Sequence, residues 1–137
     1  MKRNDNSKES KVLTVIIIII LSTFIARDFY IKNEVKKSNK TIITKFTLKD
    51  KLPKTTSFYF TYFIDSQKNF TSNSGIKYSI FNSKSETNII DNLEINGFYL
   101  AKYNPNHPNT IIVDPTKQIT DTVAILQAGF SRDDIKY

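Results

Sequence analysis

Hydrophobic positions fall into two patterns along this chain: one unbroken block near the N-terminus, then short alternating runs. Val12 to Ala26 carries no charge and includes five consecutive isoleucines, Ile16 to Ile20, between Lys11 and Arg27. A block apolar on every side needs an apolar surround, and at the start of a chain that points to a membrane. Fifteen helical residues cover roughly 22 Å, short of a ~30 Å hydrocarbon core. Lys11, Arg27 and Lys32 can snorkel, and Phe29, Tyr30 and Ile31 extend the apolar contact. The span is therefore set at 12–31, with Val12, Ile16, Ile20 and Ala26 inside it. A disordered tail precedes it at 1–11, a basic linker or helical continuation follows at 32–40, and a folded domain occupies 41–137.

The alternating runs predict strands. Ile42, Thr44, Phe46 and Leu48 share one face of Thr41–Lys49. Ser57–Asp65 is apolar on both faces, Phe58, Phe60, Tyr62 and Ile64 on one, Tyr59 and Phe63 on the other, so it must be covered twice. Asp65 to Lys68 has turn chemistry, returning the chain as a hairpin through Asn69–Ser72. Ile76–Phe81 and Phe98–Tyr103 alternate as further strands, and Thr110–Val113 is a short one closed by Asp114-Pro115. Thr87 is placed to cap a short helix through Asn92 that buries Ile89, Ile90 and Leu93. Near the end the period changes: Thr120 or Asp121 caps a helix with Val123, Leu126, Gln127 and Phe130 at three-to-four spacing, and Gly129 stands past its end. These elements predict an N-terminal transmembrane helix plus a mainly β domain, a small antiparallel barrel or sandwich with one C-terminal helix.

A cleaved signal peptide and a buried core helix are the alternatives for the first block. Cleavage after Ala26 would put Phe24 where a small residue is expected, and cleavage after Ser22 would put Ile20 there. An uncleaved single-pass signal anchor is the better reading. A lipid-modified cysteine plays no part, because the chain has no Cys. The basic flanks nearly balance, with Lys2, Arg3, Lys8 and Lys11 before the block and Arg27, Lys32, Lys36, Lys37 and Lys40 after it. A short basic tail crosses a membrane poorly, so the domain is expected outside the cytoplasm.

The net charge of +7 raises nucleic acid as a partner, and its location removes it. Residues 28–54 hold eight Lys against Asp28, Glu34 and Asp50, whereas from residue 55 onward seven basic groups meet eight acidic ones. The excess lies beside the membrane block, where anionic headgroups attract lysines by about 1 kcal/mol each. Membrane lipid is thus the expected partner, with an envelope protein as a second one, and oligomeric state is left open. Hydrophobic residues at 39% and aromatics at 12% supply a core for one small domain.

The stretch Asn96 to Asn109, NGFYLAKYNPNHPN, resembles a pattern found in uncharacterised small single-span membrane proteins of Bacteroidota-type bacteria. Gly97, Tyr99, Lys102, Tyr103, Pro105 and Pro108 are the matching positions, and Phe58 to Thr71 resembles the strand-turn-strand of that family. The turn glycine expected there is replaced by Ser66-Gln67. The resemblance implies a C-terminal β domain of unknown function, with no catalytic residues to carry over.

No catalytic constellation stands out. His107, the single histidine, has no second His or Cys to share a metal and no carboxylate close in sequence, so it reads as a solvent-facing turn residue. Asp133-Asp134 and the Asp91/Glu94 pair lack any sign of a cleft that would split their pKa values. Three glycines leave no phosphate-cradling loop. No cofactor or metal is expected. Tyr59, Tyr99 and Tyr103 are the candidates for an exposed interaction surface. The expectation is a membrane-anchored, non-enzymatic β module that binds a protein or an envelope component. An immunity-type inhibitor of a toxin is the alternative, and an enzyme the least favoured one.

Overall fold

The apolar block lies inside one long helix. The computed structural model describes residues 5–136, and in it helix α1 spans Asp5–Lys37. It begins within the stretch expected to be disordered, of which residues 1–4 lie outside the described part, and it absorbs most of the basic linker. Its apolar window is not buried against the rest of the protein, so a core helix is excluded.

Five strands follow, β1 (Thr41–Lys51), β2 (Thr56–Ile64), β3 (Gln67–Thr71), β4 (Phe98–Tyr103) and β5 (Ile111–Ile119). They form one antiparallel sheet in the order β3-β2-β1-β4-β5. The sheet is open, which corrects the expected barrel or sandwich. The two apolar faces of β2 are covered by helices and a crossing segment rather than by more sheet. One face carries Phe46, Phe58, Phe60, Tyr62, Tyr99, Ala101, Ile111 and Val113, packed beneath Ile76 and Ile90. On the other, Phe98 packs with Ile125 and Phe130, and Phe63 meets Phe130 edge-on at 5.1 Å.

The expected strand Ile76–Phe81 is not one. After Ser74 the chain leaves the edge of β5, where the Ile111 and Val113 amides donate to the Asn73 and Ser74 carbonyls, and crosses the first face as coil and turn. Ile76 alone of its alternating residues is buried. The next helix, α2 (Lys84–Asp91), starts earlier than expected. Its cap is Ser83 rather than Thr87, in a reciprocal box with Glu86. β5 runs on past Asp114-Pro115. An edge strand tolerates the missing amide at a bulge, and pairing resumes at Gln118 opposite Tyr99.

The C-terminal helix α3 (Thr122–Gln127) is capped by Asp121 as expected, and Gly129 stands past its end at φ 102°. It buries Ile125, however, while Val123 faces outward. A single turn, α4 (Arg132–Ile135), follows it, capped by Ser131.

The last turns of α1 are docked on the domain. Val35 is wholly buried. Lys102 Nζ donates to the Lys36 carbonyl at 3.0 Å, and the Tyr103 amide donates to Lys40 O at 3.1 Å. The start of β1, the end of β4 and the start of β5 therefore lie next to the helix, and the β1–β2 turn lies at the far end of the sheet.

Candidate functional site

The most exposed large apolar side chains of the domain form a turn at that far end. Ser79 to Asn82 closes a β-turn, the Asn82 amide donating to Ser79 O at 3.1 Å, with Ile80 and Phe81 at its tip. They are 93% and 88% exposed. Turn tips ordinarily take Gly, Asn, Asp or Ser, whose chemistry suits water and unusual backbone angles. An Ile-Phe tip works against solubility unless something covers it.

The turn is held firmly on both sides. Ser79 Oγ accepts from the Phe81 amide at 3.2 Å, and Asn82 Nδ2 donates to Lys77 O at 3.0 Å. Just before it, the Tyr78 hydroxyl donates to Asp91 on α2 and accepts from Lys49 Nζ on β1. The Lys49 ammonium also sits 5.4 Å from the Phe58 ring centre and 5.3 Å from that of Tyr78. Just after it, the Ser83–Glu86 box fixes the start of α2. Lys77 and Lys84 flank the tip in sequence, and Lys51 and Lys54 share a hollow with Tyr78. The result is an apolar finger flanked in sequence by Lys77 and Lys84, with the Asp91 and Glu86 carboxylates engaged by its supports.

The three candidate tyrosines do not form a surface. Tyr99 is 2% exposed, and its hydroxyl accepts from the Glu94 amide at 2.9 Å, so it belongs to the core. Alternation along β4 places Tyr103 on the same face, half-buried against that core. Tyr59 lies on the opposite face, stacked on Phe70 at 5.1 Å with 10° between the rings. Phe70 is exposed on the short edge strand and Leu48 is exposed opposite Tyr59, which makes a smaller apolar patch.

His107 is not the free turn residue expected from sequence. Its Nε2 lies 2.7 Å from Glu34 Oε2 on α1, while Glu34 Oε1 accepts from the Tyr30 hydroxyl at 2.8 Å. Hydrogen bonds from Tyr30 and His107 hold the Glu34 carboxyl below its ordinary range. The carboxylates weighed for chemistry also have structural partners. Asp91 takes Tyr78, Glu94 accepts from Gln118 Nε2 at 3.0 Å, and Asp134 accepts from the Ser131 amide at the start of α4, with Lys45 at 3.7 Å. Among the described residues no three His, Cys, Asp or Glu side chains are grouped to hold a metal ion.

Ser79, Asn82 and Ser83, three side chains that favour turns and caps, were the signal in sequence for the tip. The alternation of Ile76, Tyr78 and Ile80 masked it. No family model, curated protein or solved structure matches the chain.

Proposed function

We propose that the protein is a non-enzymatic binding module, held at a bacterial inner membrane by an uncleaved α1, that offers the Ile80–Phe81 finger to an envelope protein. The observation that carries this reading is the pairing of a near-fully exposed apolar tip with a rigid support at the end of the domain away from α1. β1 alone spans 11 residues, so at ~3.3 Å per residue the tip stands roughly 25–35 Å beyond the docked end of the helix. A partner reached there lies clear of the anchoring bilayer. Lys77 and Lys84 favour an apolar pocket with an acidic rim.

Two features support the anchor over a removed leader. The helix is continuous from the apolar block to Lys37, and Phe24 and Ile20 stand where cleavage after Ala26 or Ser22 would need small residues. The basic residues before the block support a cytoplasmic N-terminus and an external domain.

A photo-crosslinking side chain at Lys84, in the full chain in its membrane, tests the finger. A discrete protein adduct is expected. It is lost when Ile80→Ser and Phe81→Ser are combined, and kept in Val123→Ser, which removes another exposed apolar group elsewhere. An adduct that survives the double substitution contradicts the proposal, as does no adduct at all.

A further inference from the structure

A second site lies at the other end of the domain, beside α1. The β4–β5 ladder skips there: Tyr99 pairs with Gln118 and Ala101 with Val113, so Asp114 to Lys117 bulge out opposite Leu100. The bulge opens a pocket of about 340 Å³ whose floor includes Leu100 and Ile112 and whose wall includes Pro115. That volume is at the low end of the ~300–1,000 Å³ of small-molecule sites. Lys36, Lys102 and Lys117 also line it, brought from α1, β4 and the bulge. Asp114 is the one carboxylate in the lining. Its Oδ1 accepts from the Thr116 amide and hydroxyl, and its Oδ2 lies 3.5 Å from Lys117 Nζ. The site is thus apolar inside and cationic at the mouth.

Its height is set by α1. Phe29 and Tyr30 are exposed just past the apolar block, the position of an aromatic belt. Lys36 follows Tyr30 by six residues, about 9 Å along a helix. The polar layer of a bilayer is ~5–8 Å deep on each side, so a lysine side chain at the mouth reaches it. We propose that this pocket binds an anionic phospholipid of the anchoring bilayer, its acidic headgroup held by Lys36, Lys102 and Lys117 and an apolar segment lying over Leu100 and Ile112. This rests on α1 spanning the membrane, and that premise is checked separately by resistance of the inserted chain to alkaline carbonate.

The test uses the full chain reconstituted in vesicles of phosphatidylcholine with phosphatidylglycerol, then released in mild detergent for native mass spectrometry. One phosphatidylglycerol retained per chain is expected, with phosphatidylcholine washed away. Lys117→Glu, a change at an exposed position, should reduce retention by at least fivefold, the factor that ~1 kcal/mol per lysine near anionic lipid converts to. Leu100→Ser with an unchanged thermal midpoint should reduce it as well. Lys37→Ala with Lys40→Ala, lysines outside the pocket, should leave it intact. Equal retention of the two lipids, loss only in the Lys37/Lys40 variant, no lipid retained, or an acidic peptide from the expression host in place of lipid would each overturn the proposal in a chain that has passed the carbonate check.

Discussion

Gly129 shows how one residue positions a whole covering layer. Its φ of 102° lies where side chains are strained, and a Cβ there would meet Phe63 Cγ at 2.9 Å. That close approach seats Phe130 between Phe63 and Phe98, 5.1 and 5.0 Å from their ring centres. Gly129→Ala should therefore destabilise the domain by about 1–3 kcal/mol, read as a lowered thermal midpoint. An unchanged midpoint would mean that the second face does not depend on this packing. Glu34 sets a different dependence. Its carboxyl is held below its ordinary value, so its contribution to docking α1 is complete above the usual carboxylate range and is lost as pH falls through the lowered value. Hydrogen exchange in the segment after α1 should accelerate as pH falls below the ordinary carboxylate range and through the lowered Glu34 value. Glu34→Gln should show faster exchange already at pH 7, with a flatter acid response. At this scale the sequence was least legible. Glu34 and His107 are 73 positions apart, so no local pattern links them, and Tyr99 looks like any strand tyrosine until its strand is placed.

Elements were legible where a local period coincided with a buried face. β1, β2 and β4 were readable because alternate residues meet one core, and α3 because Asp121 and Gly129 mark its ends. Ile76–Phe81 has the same alternation, but the Ser79 and Asn82 side chains bond to nearby backbone and satisfy it without a ladder. The continuation of β5 past Pro115 depends on its being an edge strand, a property of the sheet rather than of the segment. The β2–β3 hairpin gives a prediction of its own. Asp65 and Ser66 both have positive φ, 49° and 64°, in a two-residue turn between Ile64 and Gln67. Such turns favour glycine at the second position. Ser66→Gly should raise stability by about 1 kcal/mol, the cost of a left-handed conformation in an ordinary residue. A lowered midpoint would show that Ser66 makes a contribution outside the turn.

For the molecule as a whole, the long apolar N-terminal helix and the mainly β character were readable from one apolar block and a set of alternating runs. Closure of the sheet was not, because a strand apolar on both faces is satisfied equally by a second sheet or by helices. The docked end of α1 then relates the two proposed surfaces: a cationic pocket beside the helix, and an apolar finger at the far end of the sheet. Both gain their meaning from the helix remaining attached. The most direct measurement is therefore alkaline carbonate extraction of membranes from a bacterial host expressing the full chain, followed by intact mass and N-terminal analysis. The expected result is a chain that stays in the membrane pellet with the Val12–Ala26 block still present. A soluble chain beginning after Ala26 would contradict the account.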